Sequence, residues 1–135
     1  MKAVDTNVLA RFFVDDPDDP ESARQRLKAA RAMAGRLFVP VTVLLEFEWV
    51  LRGFYELSRT AVGRVLRALS GLGNVTLEDR DAVLKALDLH AEGLDLADAL
   101  HLARSHACEA LLTFDRRLAA RAVRAKTAPR VELLP

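Results

Sequence analysis

Apolar residues are spaced along the chain in two ways. Short apolar runs bounded by glycine, proline or polar residues are typical of strands, whereas apolar residues three or four positions apart are typical of helices. The short runs predict strands at residues 2–4, 36–40, 74–77, 109–115 and 131–134. The helical spacing predicts helices over about 7–14, 20–34, 42–51, 59–69, 79–92, 95–108 and 116–125.

Capping residues mark where several of these helices begin and end. Asp19 is a good N-cap and is followed by Pro20, which suits the first position of a helix. Ser58 is placed to cap a later helix, and Gly35 and Gly53 are placed to end two others.

The order of the elements indicates the fold class. Strands that alternate with helices predict an α/β fold with a parallel or mostly parallel sheet covered by helices on both faces. A chain of 135 residues has the length of a single domain, and no repeat or linker divides it. We therefore expect one domain over residues 1–135.

Composition excludes several kinds of protein. Hydrophobic residues make up 51% of the chain, enough for a substantial core, and a net charge of +1 neither favours nor excludes nucleic acid. The single cysteine, Cys108, excludes an internal disulfide and a cysteine-based zinc site, and it suits a reducing cytoplasm. We expect this residue to be a small buried apolar group. No apolar run is long enough for a membrane span, and the N-terminus lacks a signal-peptide pattern.

Two acidic residues stand at predicted strand ends. Asp5 follows the first strand and Asp115 ends the strand that contains "ALLTF". Ligands of open parallel sheets bind at the carboxyl ends of the strands. These two acids are therefore candidates to be neighbours in space.

Two further acids lie at the edges of helical apolar surfaces. In the helix over 42–51 the apolar arc is centred on Val43, Phe47, Val50 and Phe54, and Glu46 lies at its edge. Glu48 lies away from this arc. Arg52 follows four positions later, so we expect Glu48 to form an ordinary surface ion pair with it.

Asp98 has two interpretations. It could be a favourable first-turn acid in a helix capped by Asp95, or it could project toward the same rim as Glu46, since it lies beside the Leu102 edge of its own apolar arc.

Asp5, Glu46, Asp98 and Asp115 form the candidate acidic cluster. Four carboxylates at one place would repel each other and raise each other's pKa, whereas a divalent cation would remove the repulsion. Hard oxygen ligands suit Mg²⁺ and also Mn²⁺. Such a site suits hydrolysis of a nucleic-acid phosphodiester by metal-activated water.

Four sequence motifs resemble those of PIN-domain nucleases, and more closely those of VapC-like toxins of toxin–antitoxin pairs. "VDTNVLARFFVDD" resembles the first motif, with Asp5, and "VTVLLEFEWVL" resembles the second, with Glu46. "LDLADALHLARS" resembles the third, with Asp98, and "LLTFDRRL" resembles the fourth, with Thr113 and Asp115. No matched position departs from the pattern.

The resemblance implies a three-layer α/β/α sandwich, Mg²⁺-dependent cleavage of RNA, a homodimer and an antitoxin partner. On this interpretation Asp5, Asp98 and Asp115 hold Mg²⁺, and Glu46 is a further ligand or accepts a hydrogen bond from the attacking water. Metal-activated water would leave 5′-phosphate and 3′-hydroxyl ends.

Other residues near the motifs have both a functional and a structural interpretation. Asn7 could bind Asp5 or a metal-bound water, or simply begin a helix, and Thr113 could support the metal site or simply favour a strand. Asp95 is chiefly a helix cap with a share in support of the site. Arg116 and Arg117 could contact RNA phosphates or belong to a solvated helix face.

Four large, mostly apolar residues in and after the helix over 42–51 form a group that we call the aromatic patch. Leu45 and Trp49 lie outside the apolar arc of their helix, and Phe54 and Tyr55 follow at its end. Such groups are typical of an interface, and either dimerisation or antitoxin docking would cover them.

Two alternatives to an active nuclease remain. An aspartyl-nucleophile phosphatase would carry a second Asp two positions after Asp5, where this chain has Asn7. A catalytically weak or inactive module that binds RNA or a protein would lack part of the acidic cluster, whereas all four acids are present.

Overall fold

The computed structural model describes residues 1–135 and contains seven α-helices and five strands. All three strand pairings are parallel. The predicted α/β class with a mostly parallel sheet is therefore confirmed. No helix of the chain combines the length and the apolar character needed to cross a membrane.

The chain forms two compact units, Met1–Asp79 and Arg80–Pro135. The single-domain expectation stays a prediction.

The first unit contains a three-stranded sheet and four helices. In chain order its elements are β1 (Lys2–Ala3), α1 (Thr6–Phe13), α2 (Pro20–Met33), β2 (Leu37–Val39), α3 (Val41–Trp49), a π-helical turn (Val50–Phe54), α4 (Arg59–Ser70) and β3 (Val75–Leu77). Strand β2 lies between β1 and β3, with Phe38 opposite both Ala3 and Thr76. The core residues Leu9, Leu44 and Phe47 are fully buried.

The second unit contains a two-stranded parallel sheet and three helices. Its elements are α5 (Arg80–Ala91), α6 (Leu96–Ala103), β4 (Ala110–Thr113), α7 (Arg116–Ala125) and β5 (Arg130–Leu133). Gly93, with φ of +112°, makes the turn between α5 and α6, in a conformation that favours glycine. Helix α7 is anchored by the buried Leu118 and Ala122.

Local capping chemistry sets several boundaries where the sequence predicts them. The Asp19 side chain accepts a hydrogen bond from the Glu21 backbone N–H at 3.0 Å, with Pro20 at the first helical position. Ser58 Oγ accepts from the Ala61 backbone N–H at 3.2 Å.

Helix α6 ends five residues earlier than predicted. It stops at Ala103, where the Arg104 and Ser105 backbone N–H groups bond back to Leu100 and Leu102. Cys108 lies beyond this tight turn and is exposed, so the expectation of a buried thiol is wrong. The polar residues that follow Ala103 have no apolar face to bury, which explains the early end.

The predicted apolar arc of α3 is also wrong. The buried positions are Val41, Leu44, Phe47, Glu48 and Leu51, whereas Phe54 is 70% exposed. Apolar residues occupy nearly every position of this segment, so its spacing does not select one face. The π-helical turn has a wider repeat than an α-helix and rotates the residues that follow it.

Candidate active site

Asp5 stands at the junction between β1 and α1. The chain leaves β1 through Val4, whose N–H bonds to the Phe38 carbonyl at 3.0 Å. Asp5 is the N-cap of α1, and its Oδ1 accepts a hydrogen bond from the Thr6 backbone N–H at 2.7 Å. The residue is exposed, so its other carboxylate oxygen is free for a ligand.

Thr6 connects Asp5 to Glu46. The Thr6 hydroxyl is buried and donates a hydrogen bond to Glu46 Oε1, while its backbone N–H bonds to Asp5. The two acids of the first unit are therefore neighbours through one intervening residue. Thr6 was not among the candidate residues predicted from the sequence, although a hydroxyl directly after a candidate acid was the available signal.

Glu48 is not a surface residue, contrary to the sequence prediction. It is 3% exposed, and Oε1 accepts a 2.8 Å hydrogen bond from Arg52 Nε. The predicted i,i+4 pair is present, but its acid belongs to the buried side of α3 and Glu46 belongs to the exposed side.

In the second unit, Asp98 lies among other charged groups. Burial raises the pKa of the Asp98 carboxyl above its usual value, and repulsion from Asp95 and Asp115 raises it further. His101 and Arg121 act in the opposite direction on this pKa. Asp98 and Asp115 are thus close enough to interact, although seventeen positions separate them in the chain.

Asp115 is held firmly at the start of α7. Its Oδ1 accepts hydrogen bonds from the backbone N–H groups of Arg117 and Leu118, at 2.9 and 3.1 Å. Thr113 Oγ1 accepts from the Asp115 backbone N–H at 3.0 Å. The Thr113 hydroxyl therefore fixes the backbone that carries the acid.

The remaining candidate residues have varied surroundings. Asp95 occupies the N-cap position of α6 without a side-chain capping hydrogen bond, and the Asn7 side chain is exposed and does not bond to Asp5. Arg116 and Arg117 begin α7 as exposed side chains with no ion-pair partner.

The aromatic patch is partly exposed. Trp49 and Phe54 are 60% and 70% exposed, whereas Leu45 and Tyr55 are half-buried. The Phe54 and Tyr55 rings pack edge to face with centroids 4.9 Å apart, and the Tyr55 hydroxyl accepts a 3.1 Å hydrogen bond from Arg11.

The acids of the candidate site are divided between the two units, two in each. Neither unit by itself gathers three His, Cys, Asp or Glu side chains in a metal-holding group. The donor set is all carboxylate, and hard oxygen donors suit Mg²⁺ and Mn²⁺.

A family model of the PIN domain matches residues 2–124, a stretch that includes Asp5, Glu46, Asp98 and Asp115. The chain belongs to the PIN-domain family. The PIN domain is a nuclease-type fold, and PIN-domain nucleases typically depend on divalent metals. No curated protein and no solved structure matches the chain.

Proposed function

We propose that this PIN domain is a Mg²⁺-dependent endoribonuclease and the toxin of a toxin–antitoxin pair. The observation that carries the proposal is the match of a nuclease-type family model to residues 2–124, a stretch that contains all four acids of the candidate cluster. Within that stretch, Asp98 and Asp115 are close enough to repel each other. Carboxylates held near each other at a cost in repulsion are what a cation site requires.

Each acid has a role in this proposal. Asp5, Asp98 and Asp115 hold the ion, and Glu46 is a further ligand or accepts a hydrogen bond from the attacking water. Thr6 orients Glu46 and Thr113 fixes the backbone of Asp115, so both act as positioning residues. Mn²⁺ should substitute, because it prefers the same oxygen donors.

A bound divalent ion would supply activation of water and stabilisation of the leaving 3′ oxygen. The chain has no pair of histidines placed for attack by the ribose 2′-hydroxyl. The products are therefore expected to carry 5′-phosphate and 3′-hydroxyl ends.

The test compares asparagine variants of the three proposed ligands. Asp5→Asn, Asp98→Asn and Asp115→Asn should each lower RNA cleavage by about 100-fold or more, because each removes a charged ligand. Asparagine keeps an oxygen that can accept the capping hydrogen bonds of Asp5 and Asp115, so the variants should fold. Asp81→Asn is the matched control, since Asp81 is an exposed acid in the first turn of α5.

Two further measurements separate this function from its alternative, a weak or inactive module. EDTA should abolish cleavage, and a ligase that requires 5′-phosphate should accept the products. RNA binding without metal-dependent cleavage by the wild type would instead support the inactive module. Cyclic phosphate ends or full activity in EDTA would contradict the proposed chemistry.

The toxin role concerns the partner. PIN-domain nucleases bind RNA and often antitoxins, and we propose that a small protein encoded just upstream blocks this nuclease in the cytoplasm. Co-expression of that product should suppress cleavage and associate with the chain. A housekeeping nuclease would have no such neighbour.

A further inference from the structure

Phe114 is an exposed aromatic residue between two residues of the candidate site. It lies between Thr113 and Asp115 and is 75% exposed. Phenylalanine side chains are usually buried in the core, so core packing does not explain this residue. Neither the proposed metal site nor the aromatic patch includes it.

The backbone around Phe114 is held on both sides. Thr113 is paired with Leu133 across the sheet, and its carbonyl accepts a 2.8 Å hydrogen bond from the Leu134 N–H. Asp115 is fixed by the Thr113 hydroxyl and by its own cap of α7. The Phe114 ring is therefore displayed from an ordered position, which lowers the entropy cost of using it as a contact.

Helix α7 continues from this point with three arginines on one face, the arginine row, Arg117, Arg121 and Arg124. The spacings of four and three residues place them along one side of the helix. All three are exposed, no salt bridge joins any of them to an acid, and α7 itself contains no acidic residue. Arg121 is close enough to attract the Asp98 carboxylate, so the row reaches the proposed metal site. The row extends over about 10 Å at the helical rise of about 1.5 Å per residue.

We propose that Phe114 and the arginine row form a binding surface for single-stranded RNA, with one base stacked on Phe114 and the backbone phosphates along the row. This surface rests on the proposed function, because it would present RNA beside Asp115. Unpaired bases stack on aromatic side chains, and guanidinium groups bind phosphates bidentately. A run of cations alone would also suit an acidic protein segment, but the exposed ring next to Asp115 favours RNA.

The test measures binding separately from cleavage. A short fluorescein-labelled single-stranded RNA is titrated with protein in EDTA, and fluorescence anisotropy gives the Kd. Phe114→Ala should weaken binding roughly 5- to 150-fold, the equivalent of about 1–3 kcal/mol for one stacked base. Phe114→Trp should preserve it, and Leu27→Ala, which removes an exposed apolar side chain of α2, is the matched control.

The arginine row is tested through salt dependence. In the Arg117→Ala/Arg121→Ala/Arg124→Ala variant, the slope of log binding constant against log salt should fall by about 2, at roughly 0.7 per phosphate contact with a single strand. Arg64→Ala, which removes an exposed arginine of α4, should change the slope by no more than one contact. Phe114→Ala should have little effect on binding to the same RNA as a perfect duplex, whose bases are already stacked.

The outcomes separate this inference from the proposed function. If the wild type cleaves RNA but Phe114→Ala and the triple variant bind single strands as the wild type does, the surface is wrong and the nuclease stands. If the same variants lose RNA binding but the wild type never cleaves, the surface stands without the nuclease. Unchanged RNA binding together with lost binding of a polyglutamate peptide would replace RNA by an acidic protein segment.

Discussion

At the residue scale, two of the candidate ligands already have a structural task. Asp5 and Asp115 both cap helices, and a helix N-terminus stabilises a negative charge. A cap alone would therefore explain why acids occupy these two positions. Asp98 is different, because it lies in the first turn without a capping role and its pKa is raised. Asp98 is thus the acid for which a purely structural explanation is weakest.

The raised pKa of Asp98 predicts a pH-dependent change in stability. A carboxyl whose pKa is higher in the folded than in the unfolded state binds more protons when folded. Its stabilising contribution is complete below the unfolded value near 3.8 and is lost as pH rises through the folded value. In the metal-free protein, Asp98→Asn should therefore raise the melting temperature at neutral pH. Below the unfolded pKa of the carboxyl, the substitution should have little effect.

Thermal unfolding of both proteins across a pH series measures this difference. Asp81→Asn serves as the exposed control. A melting-temperature difference that is the same at every pH would show that charge on Asp98 is not its cause. With Mg²⁺ added, the wild type and Asp81→Asn should gain stability and Asp98→Asn should not, because the proposed ion would bind the native state through Asp98.

At the element scale, local chemistry explains which features can be predicted from sequence. The starts of α2 and α4 follow from Asp19, Pro20 and Ser58, whose effects depend on neighbours within a few residues. The buried face of α3 could not be predicted, because apolar residues surround the helix. The contact of Thr6 with Glu46 joins positions forty residues apart, and no local pattern encodes it.

The buried side of α3 gives a second prediction. Glu48→Gln should lower the free energy of unfolding by about 1 kcal/mol, because it weakens a charge-assisted hydrogen bond to the half-exposed Arg52. Chemical denaturation measures the change, with the exposed Glu92→Gln as control. RNA cleavage by the folded variant should equal that of the wild type. A loss of activity as large as that of Asp98→Asn would place Glu48 in the site.

At the scale of the whole molecule, the aromatic patch is an apolar surface that is left in contact with water. Trp49 and Phe54 expose large apolar areas on adjacent turns, and such areas are commonly covered by another chain. We propose that a second copy or the antitoxin covers them. The sequence motifs indicate which acids are candidates for the site. They do not indicate which partner covers the patch, because that depends on the surface of another molecule.

Trp49→Glu tests this coverage. If a second copy covers the patch, the variant should stay monomeric at concentrations where the wild type associates in sedimentation. If the antitoxin covers it, the variant should bind the antitoxin more weakly, because a buried unpaired charge opposes association. Leu27→Glu adds a charge at a similarly exposed apolar position of α2 and should change neither property. Two equally monomeric proteins with equal antitoxin affinity would exclude the patch as an interface.

Because α6 ends early, the thiol that follows it is accessible to a fluorescent label that could report RNA or metal binding. Cys108 is the sole thiol of the chain and is exposed between α6 and β4, seven positions before Asp115. A maleimide dye would therefore label the natural protein at one defined position, without any engineered cysteine. Its fluorescence would report on the strand that leads to Phe114 and Asp115 as RNA or metal binds.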